Sequence, residues 1–142
     1  MDEKQRKEIA ANAKKIRHSI VDMIGSTGNT GHLGGSSSAA DIVAVLYFYK
    51  MKVNPQNPGD ENRDRFIMSK GHAVLAQYAA LAELGFFPMD ELKNVKKYGS
   101  MLQGHPDKTS GAEYPDSFFE MGLPRRIWRQ LPPASVWRAA PL

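Results

Sequence analysis

The sequence has 142 residues, a net charge of +4 and no cysteine. This length allows one domain, or part of a larger one, with a hydrophobic core. The lack of cysteine excludes disulfides, thiolate metal sites and a cysteine nucleophile. Because the N-terminus is charged and no run approaches the roughly 20 apolar residues of a membrane span, we expect a cytoplasmic protein without membrane attachment. Basic residues form no stripe interleaved with aromatic residues, which argues against nucleic-acid binding.

A long amphipathic helix is predicted for residues 3–25, because apolar residues recur three or four positions apart. This stripe consists of Ile9, Ala13, Ile16, Ile20, Met23 and Ile24. Gly25 and Gly28 are the expected stop signals. His18 lies on this helix, where we expect it to be a partly exposed residue without a special role.

A second helix is predicted after the glycine- and serine-rich residues 28–38. Ser38 and Asp41 have the spacing of a capping box, which would start this helix at Ser38. The helix would run to about Tyr49, with Ile42, Val45, Leu46 and Tyr49 on one face.

The next segments indicate an α/β arrangement. Residues 66–68 are a short apolar run typical of a buried parallel strand. Residues 72–84 are rich in alanine, which predicts a buried helix that ends at Gly85. Another helix is expected over residues 89–97, after Pro88. This order fits the start of an α/β domain with a parallel sheet flanked by helices.

Three histidines, His32, His72 and His105, each follow a glycine and lie in loops or at helix starts. The N-terminal end of a helix carries unpaired N–H groups and partial positive charge, so it favours an anion. Imidazoles exchange protons near neutral pH. These features favour a shared site for a phosphorylated ligand, but they leave the reaction open. No histidine spacing typical of a metal site occurs.

Three stretches resemble transketolases. They are Gly31-His32-Leu33-Gly34-Gly35-Ser36-Ser37-Ser38-Ala39-Ala40-Asp41, Arg63-Asp64-Arg65-Phe66-Ile67-Met68-Ser69-Lys70-Gly71-His72 and Leu102-Gln103-Gly104-His105-Pro106. They occur in the family's order and spacing, and they are most similar to the N-terminal subunit of two-chain transketolases. Leu33 stands where the family usually has proline, which is expected to loosen the turn.

The resemblance implies a thiamin-diphosphate-binding module that transfers a two-carbon ketol unit between sugar phosphates, with Mg²⁺, in the pentose phosphate pathway. It implies that His72 and Gly71 meet the cofactor's diphosphate end. It also implies that His32 and His105 hydrogen-bond the donor sugar's hydroxyls and move protons. Ser36 and Ser37 are expected to cap a helix, and Lys70 to be solvated. The implied partners are a C-terminal transketolase subunit or module and further copies in an oligomer.

The resemblance covers residues 1–115 as a partial diphosphate-binding domain and stops at residues 116–142. That tail has four arginines and no lysine, and it lacks the family's diphosphate loop and metal motif. We interpret it as an atypical, poorly packing segment, produced by a frame shift or a truncated gene, with a genuine domain end as the alternative. The isolated chain is therefore expected to be inactive. The alternative functions are a deoxyxylulose-phosphate-synthase-like enzyme and a non-catalytic remnant.

Overall fold

The computed structural model describes residues 1–26, 28 and 31–104. Helix α1 (Glu3–Ser26) is followed by α2 (Leu33–Ser37) and α3 (Ala40–Val45), and α3 continues into a π-helical turn (Leu46–Lys50). A 3₁₀ turn (Gly71–Ala73) leads into α4 (Val74–Glu83), and a second 3₁₀ segment spans Met89–Asn94. His105 and the tail of residues 116–142 lie outside the described residues.

Helix α1 confirms the predicted stripe. Ile16 and Ile20 have no exposed surface, and Met23 retains only 2%. This stripe packs against α3 and α4. The helix ends at Ser26, between the two predicted stop glycines, and Gly28 adopts a left-handed φ of +59° that glycine accepts without strain. His18 is exposed on the opposite side of the helix, as expected.

Helix α4 is buried on every side. All residues from Val74 to Ala82 are buried, which confirms the buried helix predicted from the alanine-rich sequence. A helix that is apolar all round belongs in a core. Its C-terminal end is closed by Gly85, whose φ is +84° and whose N–H donates to the Ala82 carbonyl. The helix begins one 3₁₀ turn later than predicted, so His72 precedes it.

The prediction for the second helix was wrong at its start and on its buried face. The Ser38 hydroxyl donates to the Gly35 carbonyl at 3.0 Å, and Asp41 pairs with Arg17 of α1, so no capping box forms. The buried face consists of Ala40, Val43, Ala44 and Tyr47. Ile42 is 63% exposed. Helix α3 packs against α1 and, less extensively, α4, with these smaller residues inside and the larger Ile42 outside.

The two remaining element predictions also differ from the structure. Met89–Asn94 is a 3₁₀ segment, not an α-helix over residues 89–97, and Lys96 has a left-handed φ of 63° that ends any helix there. No strand occurs within the described residues: residues 66–68 have no regular secondary structure, although Met68 is buried and the Phe66 ring packs against that of Tyr47. A parallel strand needs a neighbouring strand for its hydrogen bonds, and the part of the chain described here supplies none.

Candidate functional site

His32 and His72 lie side by side. His32 directly precedes α2, and His72 lies in the 3₁₀ turn that leads into α4. Their ring centroids are 5.1 Å apart, and the ring planes meet at 68°. Both side chains are exposed. The two Gly-His segments, 40 residues apart in sequence, therefore present a pair of solvent-accessible imidazoles at one place.

Two glycines make this approach possible. A Cβ atom on Gly35 would lie 2.8 Å from Cδ2 of His72, closer than real side chains come. A Cβ on Gly31 would lie 2.7 Å from Cγ1 of Ile24 in α1 and 3.6 Å from Leu75 of α4. The glycine-rich segment thus passes between α1 and α4 at Gly31 and leaves room for the His72 ring at Gly35.

Ser36 joins the two histidine segments. Its side chain is fully buried, and its hydroxyl donates to the backbone carbonyl of His72 at 3.3 Å. This contradicts the expectation that Ser36 caps a helix. The sequence offered one signal, a serine inside a glycine-rich segment, but a hydrogen bond between residues 36 positions apart cannot be read from local spacing.

Lys70 makes a second connection between the same segments. Its ammonium group donates to the Gly35 carbonyl at 3.1 Å and to the Ser38 hydroxyl at 3.2 Å. The side chain is exposed, as expected for a solvated lysine, and its ammonium group also makes these two protein contacts. Its charge therefore lies beside the C-terminal half of α2.

The segment that leads to the third histidine is attached to α4. The Tyr78 hydroxyl donates to the Gln103 carbonyl at 2.8 Å, and the neighbouring Leu102 is fully buried. Burial raises the pKa of Tyr78 far above its ordinary value of 10.0, so the hydroxyl stays protonated above the pH at which an exposed tyrosine would ionise. His105 itself lies outside the described residues.

The chemistry available here is hydrogen bonding and proton transfer. Two exposed imidazoles and one ammonium group can bind an anion such as a diphosphate, and an imidazole can pass a proton to or from a hydroxyl. The space beside the Gly34 backbone is empty, because a Cβ atom placed there would have no neighbouring atom within 4 Å. These residues fit the diphosphate end of a cofactor. Among the described residues no cluster of three or more histidine or acidic side chains could hold a metal ion.

A pocket of about 250 Å³ lies elsewhere, between α1 and the second 3₁₀ segment, where Ser19, Met23 and Leu92 line it. No residue of the histidine pair contributes to it. Within the described part of the chain, no helix is both long and apolar enough to cross a bilayer.

Comparison with known proteins gives a consistent result. The family model described as transketolase, thiamine diphosphate binding domain, matches residues 8–116. The chain is 44% identical over 103 residues to the 6-deoxy-6-sulfo-D-fructose transketolase subunit SqwG of Clostridium sp. (strain MSTE9), which covers 72% of this chain and 37% of that protein. It is 39% identical over 105 residues to the transketolase of Homo sapiens, covering 74% of this chain and 17% of that one.

A solved structure shows the same similarity. Transketolase from Leishmania mexicana superimposes with a TM-score of 0.68 at 37% sequence identity, over 77% of this chain and 16% of that chain. The chain thus spans 37% or less of the length of each of these three proteins.

Proposed function

Since the chain belongs to the transketolase family through its thiamine diphosphate-binding domain, we propose that it supplies the diphosphate side of a site that transfers a two-carbon ketol unit between sugar phosphates. The observation that carries this proposal is the exposed His32–His72 pair, with ring centroids 5.1 Å apart beside the Lys70-bound glycine segment. Donor groups are concentrated there, as a doubly charged diphosphate and a hydroxyl-rich substrate require.

In this proposal His72 and the Gly71 backbone meet the cofactor's diphosphate. His32 and His105 hydrogen-bond the hydroxyls of the donor sugar and move a proton to or from the oxygen that changes charge. When bound, thiamin diphosphate supplies the nucleophilic carbon and the electron sink that the protein lacks. A positioned imidazole contributes about 10²–10⁴-fold to such proton transfers.

Turnover, unlike binding of the cofactor's diphosphate, requires more protein than this chain contains. The relative SqwG is named as one subunit of a transketolase, and the chain spans only part of its length. We therefore place a C-terminal transketolase subunit or module against the histidine pair, in an oligomer, with Mg²⁺ bound by residues outside the described part. Residues 66–68 would then gain neighbouring strands and complete a parallel sheet. In the cell, the complete enzyme of this proposal would act in the cytoplasm, in the pentose phosphate pathway.

Of the alternatives, the deoxysugar-phosphate enzyme has no feature in its favour among the described residues. The relatives named above carry transketolase names. The other alternative, that the chain is a non-catalytic remnant, is tested by the same cofactor titration as the main proposal, because a remnant would not bind the cofactor through His72.

The test is calorimetric titration of the purified chain with thiamin diphosphate and Mg²⁺. We expect binding that His72→Ala weakens by about ten- to a hundred-fold, the loss of a hydrogen bond to a charged group. His18→Ala is the matched control, because this exposed histidine lies on α1 outside the site. Equal affinity of all three proteins, or no binding by the unaltered chain, would contradict the proposal.

A coupled assay with a ketose phosphate and an aldose phosphate tests the need for a partner. We expect no turnover from the chain alone, because a cofactor site of this kind lies between two modules. Turnover without added protein would show that the chain is sufficient.

A further inference from the structure

Two hydrogen-bonding groups hold together the segments that carry the histidine pair. Ser36 reaches from α2 to the His72 carbonyl, and Lys70 reaches back from the residue before Gly71 to the Gly35 carbonyl and the Ser38 hydroxyl. The two connections run in opposite directions between the same two segments. They flank Gly35, the residue against which the His72 ring lies.

The two connections differ in environment. Ser36 is fully buried, and a buried hydroxyl requires a partner, which the His72 carbonyl provides. Lys70 is exposed, but its ammonium group donates to two oxygens that both belong to α2 and its C-terminal end. A positive charge at the C-terminal end of a helix complements the helix dipole. The connections therefore fix the His72 backbone on one side and α2 on the other.

We propose that Ser36 and Lys70 are positioning residues for the histidine pair: they set the distance between His32 and His72 and touch neither cofactor nor substrate themselves. This inference rests on the proposed function, because it assigns the pair to the cofactor site. It goes beyond that function because it assigns a positioning role to Ser36 and Lys70. The sequence had indicated only a helix cap for Ser36 and a solvated side chain for Lys70.

The distance between the rings can be measured directly by NMR on the ligand-free full chain. Nuclear Overhauser contacts between the His32 and His72 rings are expected in the unaltered protein. Ser36→Ala should weaken these contacts and move the carbonyl carbon resonance of His72 upfield, because that carbonyl loses its donor. Ser19→Ala is the matched control, since Ser19 is also buried but lies on α1. It should leave both signals unchanged.

Lys70→Met removes the ammonium group and keeps most of the side-chain length. Because Lys70 is exposed, this variant is expected to fold even if Ser36→Ala does not. We expect it to weaken the same ring contacts, with rescue by Lys70→Arg, which restores a cationic donor. Unchanged contacts in Lys70→Met, or equal effects of Ser36→Ala and Ser19→Ala, would overturn the inference.

Thiamin diphosphate titration of the same variants separates this inference from the function on which it rests. We expect Ser36→Ala and Lys70→Met each to lower the affinity about three- to ten-fold, less than His72→Ala, because they act only through the histidines. If the unaltered chain binds no cofactor but the ring contacts respond, the function fails and the positioning role stands. If cofactor binds normally and the contacts do not respond, the positioning role is wrong.

Discussion

Replacing Gly31 by alanine tests whether the glycine-rich segment passes tightly between α1 and α4. The new Cβ would lie 2.7 Å from Cγ1 and 2.9 Å from Cδ1 of Ile24. Ordinary contact begins at 3.4 Å, so Ile24 or the segment must move by roughly 0.7 Å. Ile24 is packed against the core, and overpacking of this kind costs about 1–3 kcal/mol.

Gly34→Ala is the matched control, since a Cβ there meets nothing within 4 Å. A glycine-to-alanine change without a clash stabilises by about 0.4–1 kcal/mol through the unfolded chain. Gly31→Ala shares this gain from the unfolded chain, so the two variants should differ by the cost of overpacking alone, about 1–3 kcal/mol in urea melts. Ile24→Ala combined with Gly31→Ala should recover at least about 1 kcal/mol in a double-mutant cycle, because the clashing atoms are gone. Equal stability of the two glycine variants, or a coupling energy of zero, would refute the reasoning.

Two further predictions concern single side chains. Gly35→Ala should shift the imidazole resonances of His72 in NMR spectra, because its Cβ would lie 2.8 Å from that ring, whereas Gly34→Ala should leave them in place; identical spectra would contradict the packing. Burial raises the pKa of Tyr47 to about 12 from 10.0, against the lowering effects of Gln77 and Arg63. The folded state then keeps a proton that the unfolded chain loses, so the free energy of unfolding should fall by about 1.4 kcal/mol per pH unit between about pH 10 and 12. Tyr47→Phe should remove that part of the slope in urea melts, and an unchanged slope would show that Tyr47 does not titrate this way.

Periodic patterns predicted much of the fold. The stripe of α1 and the alanine-rich α4 were readable because their burial repeats along one helix and needs no knowledge of the partner. The buried face of α3 was not readable in this way, because the small Ala40 and Ala44 are fully buried while the larger Ile42 remains exposed. Side-chain hydropathy alone would predict that the isoleucine is buried before the alanines.

The candidate site was predictable only in part. The shared Gly-His setting pointed to His32 and His72, which the structure brings together. The hydrogen bonds of Ser36 and Lys70 were not predicted, because their partners are more than 30 residues away in sequence and no local rule indicates them. The strand predicted for residues 66–68 is a different case: no strand occurs among the described residues, and a parallel strand needs a neighbouring strand for its hydrogen bonds.

The burial of α4 also constrains how the domain forms during synthesis. Lys15 of α1 pairs with Glu83 at the end of α4, 68 residues later, and Tyr78 needs the carbonyl of Gln103. Closing so long a loop costs entropy before the contacts repay it. On the ribosome, the apolar stripe of α1 therefore emerges well before α4, and its packing against α4 can form only after Glu83 has left the exit tunnel.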